Sequence, residues 1–141
     1  RALKEVKLKG VDVSILLFDI DNFKSINDTK GHYAGDLAIK LVVEKCQAHL
    51  PKNAIFGRLG GDEFLVVLKG VDLNAGAKIA EKIRADINQA YLAEIDPIML
   101  SVSIGVVCCQ TQNNLDEAIA DADNLLYQAK EQGRNVVVMS Q

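Results

Sequence analysis

Two short apolar runs, Ile55 to Leu59 and Phe64 to Leu68, stand on either side of Gly60-Gly61. Runs of this length around a glycine pair predict two antiparallel strands joined by a tight turn, since Gly-Gly is favoured where a hairpin needs positive φ. A hairpin excludes a purely parallel, doubly wound sheet. The chain also lacks a glycine-rich phosphate loop of the Walker or dinucleotide type. Any phosphate must therefore be held in another way.

Around that hairpin the periodicities give the remaining elements. Ile15 to Phe18, after Val11 and Val13, is a continuous apolar run that predicts a strand buried on both faces, and it stops at Asp19-Ile20-Asp21. From Ala34 the apolar positions Leu37, Ala38, Leu41, Val42 and Cys46 follow helical spacing up to about Leu50 and Pro51. Asp72 is placed to cap a helix carrying Ala80, Ile83, Ile87 and Ala90, and Ile98 to Val106 alternates as a half-buried strand. A last helix, with Leu115, Ala118, Ile119, Ala122, Leu125, Leu126 and Ala129 on one face, stops at Gly133, and Val136 to Val138 supplies a final strand. The order strand, helix, hairpin, helix, strand, helix, strand predicts an α/β (α+β) sandwich: a mostly antiparallel central sheet flanked by helices.

The 141 residues, 49% of them hydrophobic, suffice for one domain with a real core. No apolar run approaches the roughly 20 residues that cross a bilayer, and no leader pattern opens the chain, so a soluble, cytoplasmic domain is expected, compatible with a membrane anchor elsewhere in its parent protein. A formal charge of -3 with interleaved signs argues against a nucleic-acid partner. Three cysteines, Cys46, Cys108 and Cys109, are odd in number and two are adjacent, which suits reduced thiols better than disulfides or a zinc site.

Two acidic clusters carry the chemistry. Asp19 and Asp21 end a strand, while Asp62 and Glu63 fall at or just after the hairpin tip, and the two pairs can converge if the strands are neighbours. Hard oxygen ligands of this kind suit magnesium or manganese, which leave positions for water and substrate phosphates. Acids near turns are nevertheless more often solvated groups or helix caps.

The wording of the sequence goes further. Gly60-Gly61-Asp62-Glu63-Phe64, preceded by Arg58, resembles the signature of the GGDEF family of diguanylate cyclases. The run from Asp19 through Asn22, Phe23, Lys24, Asn27 and Asp28, followed by Gly31-His32 and Gly35-Asp36, is similar to a second family motif. Ser101-Val102-Ser103-Ile104-Gly105 resembles a third, and Asp121-Ala122-Asp123 through Tyr127 and Lys130 to Gly133-Arg134-Asn135 a fourth. Four motifs in order span nearly the whole chain.

The resemblance implies a fold like that of nucleotidyl cyclases and polymerase palms, with one GTP per subunit and two magnesium or manganese ions per site. Two GTP molecules would be joined into cyclic di-GMP between the two copies of a homodimer. It implies metal binding by Asp19, the Ile20 carbonyl, Asp62 and Glu63, and deprotonation of the ribose 3′-hydroxyl by Asp62 or Glu63. Phe23 and Lys24 would lie in a loop that holds the β- and γ-phosphates, with Lys24 neutralising charge in the transition state. Lys130 and Arg134 would reach the phosphates, Gly60 and Gly61 would let nucleotide approach the hairpin backbone, and Asn27 and Asp36 would read guanine. Without the resemblance, Asn27 is a turn residue, Asp36 a first-turn helix acid, Phe23 a core residue, and Lys130 and Arg134 a solvated helix end. Asp21 and Asp28 are expected in supporting or turn roles, His32 in a structural one, and Tyr127 at the edge of the core.

The chain departs from the family in two places. Many members carry an Arg and an Asp ahead of the signature that bind product and inhibit; here that stretch reads Pro51-Lys52-Asn53-Ala54, so inhibition there is not expected. Members also begin with a further segment whose last residue would stand at Arg1. Residues 1–141 are thus expected to form one GGDEF domain without that segment, within a protein carrying sensor or regulatory domains. A catalytically silent GTP-binding regulatory module is the alternative.

Overall fold

The computed structural model describes residues 12–109 and 115–141; Arg1 and Val11 lie outside them. Strand β1 (Val13–Ile20) is followed by helices α1 (Phe23–Lys30) and α2 (His32–Ala48). The hairpin β2 (Ile55–Arg58) and β3 (Glu63–Lys69) leads to α3 (Leu73–Gln89) and a short 3-10 turn (Ala93–Ile95). Strand β4 (Val102–Cys109), helix α4 (Leu115–Glu131) and strand β5 (Val137–Met139) complete the order. The sheet runs β2-β3-β1-β4-β5, antiparallel throughout except for the β4–β5 pair. The expected mostly antiparallel sandwich is what forms.

Alternation along β1 divides the core into two layers. Leu16, Phe18 and Ile20 face α2 and α3, meeting Ala38, Val42, Ile83 and Ile87. Ile15 and Leu17 face the other way, onto Ala118, Ala122 and Leu126 of α4. Only a helix lying very close can cover that second face. At Gly105 an added Cβ would run into the Ala122 carbonyl oxygen and stand 2.8 Å from the Leu126 nitrogen, so the missing side chain is what lets α4 approach.

Several boundaries differ from the expected ones. Helix α1 was not anticipated: it has eight residues, only Ile26 fully buried, and an N-cap, Asn22, whose side chain makes no capping bond. Helix α2 begins at His32, an exposed residue, which puts Asp36 in the second turn rather than the first. Strand β4 starts at Val102, not Ile98, and is buried on both faces. Ile98 and Leu100 reach the core from a loop held by Asn88 Nδ2 on the Leu100 carbonyl (3.1 Å), and their alternation imitated a strand. Asp72 does cap α3, accepting from the Ala75 amide at 2.9 Å. Tyr127 is 65% exposed, so it is not a core-edge residue. The cysteines are free thiols, and burial pushes that of Cys46 up to about 12.

Candidate active site

The carboxyl end of β1 and the tip of the β2–β3 hairpin meet at one end of the sheet. The Ile20 amide donates to the Asp62 carbonyl at 3.2 Å, and Asp19 pairs in register with Glu63. Phe64 anchors the tip, fully buried and in contact with Phe18 and Phe56 at centroid distances of 5.3 and 5.8 Å. The loop is Leu59 to Asp62, closed by the Leu59 amide on the Glu63 carbonyl at 2.8 Å. It is longer than a two-residue turn, and neither Gly60 nor Gly61 adopts positive φ. Instead the Arg58 guanidinium, donating to the carbonyls of both glycines, shapes the tip. A Cβ at either glycine would meet nothing, so their faces are open to an approaching molecule.

A cleft of about 180 Å³ is lined by Asp19, Ile20, Asp21, Asn22, Phe23, Lys24, Asp62, Lys130 and Arg134. Most of the expected site residues thus converge. Asp19 lies on the α4 face of β1, and Lys130 in the last turn of α4 pairs with its Oδ2 at 2.5 Å. The other oxygen, Oδ1, is buried and accepts no hydrogen bond among the described residues. An orphaned carboxylate oxygen of this kind is costly unless something supplies it with positive charge. Burial holds the Asp19 carboxyl above the usual aspartate range against the pull of Lys130, and Asp62 and Asp21 add repulsion. Burial likewise raises Asp62, opposed by its own backbone amide, Lys130 and Arg58.

These shifts have a stability consequence. An aspartate raised in the folded state binds more protons there than in the unfolded chain, so stability falls as pH climbs from the ordinary aspartate range through the raised value. Removing the charge removes that penalty. In chelator-treated protein at neutral pH, Asp62→Asn is expected to melt about 2 °C higher than the parent chain by circular dichroism. A lower melting temperature would contradict this account of the cleft.

The donor set fits a divalent cation sparsely held by protein. Among the described residues no three of His, Cys, Asp or Glu are grouped to hold a metal. Two carboxylates and a main-chain carbonyl remain, a combination that magnesium accepts when phosphates and water fill the other positions. Glu63, the cross-strand neighbour of Asp19, lines an adjoining groove with Leu17, Leu59, Ile119 and Asp123. Phe23 and Lys24 are the first two residues of α1 rather than loop residues, so the unpaired amides of its first turn open at the cleft. Phe23 also packs on the core, and Lys24 Nζ reaches back to Asp28 at 2.9 Å. Asn27 and Asp36 do not line the cleft but sit on the α1–α2 pair. A Cβ at Gly35 would collide with Asn27 Oδ1, so the Asn27 amide lies against the position next to Asp36.

Asp21, grouped with Asp19 in the sequence, is used differently. It is 6% exposed, and its oxygens accept from Ser103 Oγ (2.6 Å), Ser101 Oγ (2.7 Å) and the Asn135 amide (3.0 Å). Those partners lie far along the chain, and only the alternation of Ser101 and Ser103 hinted at them.

Over residues 1–136 the chain matches the family described as "Diguanylate cyclase, GGDEF domain". The chain belongs to the GGDEF family. It is 37% identical over 125 residues to the probable diguanylate cyclase DgcC of Escherichia coli, covering 88% of this chain and 34% of that protein. With an uncharacterised membrane protein of Staphylococcus haemolyticus it shares 35% identity over 136 residues, 94% of this chain and 38% of the other. The chain therefore spans little more than a third of these relatives. Among solved structures, the GGDEF domain of DgcB from Caulobacter crescentus, in complex with c-di-GMP, superposes with a TM-score of 0.91 at 29% identity, covering 99% of this chain and 84% of that one. The sandwich is thus the palm-like fold of GGDEF domains. Among the described residues no helix is long and apolar enough to cross a membrane.

Proposed function

We propose that this GGDEF domain is a diguanylate cyclase that condenses two GTP into cyclic di-GMP and two pyrophosphates, with one GTP on each subunit of a homodimer. The observation that carries the proposal is the unsatisfied Asp19 Oδ1 in a cleft that also holds Asp62, Lys130 and Arg134. Two magnesium or manganese ions, held by Asp19, Asp62 and the Ile20 carbonyl, would make the ribose 3′-hydroxyl easier to deprotonate and balance charge on the entering and leaving oxygens. Asp62 takes the 3′-hydroxyl proton, because it lines the cleft and Glu63 does not. Lys130, Arg134 and the first amides of α1 receive the β- and γ-phosphates. Lys24 swings from Asp28 to meet charge developing on the leaving pyrophosphate. The reaction takes place on the cytoplasmic side, within a longer protein whose other domains supply the signal.

Dimerised protein incubated with GTP and magnesium should yield cyclic di-GMP by mass spectrometry. GTP binding with no product, even at high protein concentration, would leave the silent regulatory module as the reading. Guanine selection is tested separately. Asn27→Ala with Asp36→Ala should cut the preference for GTP over ATP at least about tenfold in competitive binding, since the guanine edge would lose the amide and the carboxylate that match its donors and acceptors. Gly35→Ala should act in the same direction, because the new methyl group evicts the Asn27 amide. An unchanged preference in both variants would remove the assignment.

A further inference from the structure

The chain leaving α4 adopts a costly conformation. Gly133, Arg134 and Asn135 have φ of 112°, 67° and 51° in succession, and two of them carry side chains. The Arg134 amide on the Ala129 carbonyl (3.0 Å) closes the helix in the manner of a Schellman motif, which explains Gly133 alone. Left-handed backbone at a non-glycine residue costs on the order of 1 kcal/mol and persists where surrounding contacts impose it. Those contacts come from three separate elements. Asp21 Oδ2, beyond the end of β1, accepts the Asn135 amide at 3.0 Å, and Ser103 Oγ of β4 lies 3.2 Å from the same amide. Arg84 of α3 donates through Nη1 to Asn135 Oδ1 at 2.8 Å, while Glu81 fixes the other side of its guanidinium at 2.8 and 2.6 Å.

Arg134 lines the cleft, whereas Arg84 does not and lies 50 positions earlier in the chain. We infer that Arg84 and Asp21 form a clamp on Asn135 whose purpose is to hold Arg134 toward the triphosphate, making both of them positioning residues. This rests on the reading of the cleft as a GTP site. The clamp reaches round the sheet, since α3 packs on one face and α4 on the other. A movement of α3 is thereby transmitted to a cation at the phosphates.

The test uses 3′-deoxy-GTP, which cannot react, with GMP as the control ligand, both with magnesium and read by calorimetry. Arg134→Ala should weaken 3′-deoxy-GTP binding roughly tenfold and leave GMP nearly unchanged. If it does not, the assignment of the cleft fails, and the clamp with it. Arg84→Ala should weaken 3′-deoxy-GTP by roughly threefold to tenfold in the parent chain and have no further effect in the Arg134→Ala background. Additive losses, or equal losses for GMP, would overturn the clamp and leave the cleft assignment standing. Asn135→Gly guards against a simple loss of stability, because it keeps the left-handed backbone while removing the arm that Arg84 holds. It is expected to melt no lower than the parent chain and still to bind 3′-deoxy-GTP more weakly; full affinity in this variant would also overturn the clamp.

Discussion

Replacing Asp19 by alanine is expected to lower turnover of GTP at least about a thousandfold while the domain stays folded. The expectation follows from what the carboxylate does in the cleft. It is the residue whose one oxygen is taken by Lys130 and whose other oxygen is buried without a donor among the described residues. Such a group is an expense for the fold and an advantage only to a bound cation, whose contribution to charge balance in the transition state is several kcal/mol. The measurement is cyclic di-GMP formed per dimer at saturating GTP and magnesium, alongside thermal denaturation of the metal-free variant. Activity within tenfold of the parent chain would mean that Asp19 is not a ligand. Loss of activity accompanied by unfolding would mean that it is structural.

Gly105→Ala is expected to have the largest effect on stability, roughly 3 kcal/mol or more, seen as a fall of about 10 °C in melting temperature. The added methyl would meet the Ala122 carbonyl oxygen and the Leu126 nitrogen, backbone atoms that cannot rotate aside. Helix α4 would have to lift from the sheet, loosening Ala118, Ala122 and Leu126 and carrying Lys130 away from Asp19. Gly57→Ala is the control, because a Cβ there meets nothing within reach and its melting temperature should stay within about 2 °C of the parent value. Equal behaviour of the two variants would refute the close approach of α4 as the cause.

The centre of this fold is readable from sequence, because β1 and the hairpin are continuous apolar runs whose limits are marked by acids or glycines. Burial alone fixes such segments. The β4 boundary was not readable, since Ile98 and Leu100 pack from a loop whose path depends on Asn88, ten and more residues earlier. Helix α1 has a single fully buried residue, too few for a periodicity to emerge. For the site, the motif residues that converge are those at element ends, Asp19, Asp62, Lys130 and Arg134, where chain direction already limits the side chain. Asp19 is the last but one residue of β1 and Asp21 stands just past its end, and no pattern in the sequence separates their roles. Their difference arises from Ser101, Ser103 and Asn135, which claim one carboxylate and leave the other open. The ties from Arg58 to the hairpin tip and from Arg84 to Asn135 likewise depend on tertiary geometry.

The strand that presents Asp19 is bonded along its length on both sides, to β3 and to β4, whereas β5 contributes three residues at the rim. Opening β1 to solvent therefore demands separation of the sheet at its middle, and its amides will exchange hydrogen for deuterium no faster than the whole domain unfolds. The rim can fray many times in that interval. Its breathing leaves the Asp19 end of β1 in place, so the cleft outlasts local disorder and is lost only when the fold itself is lost.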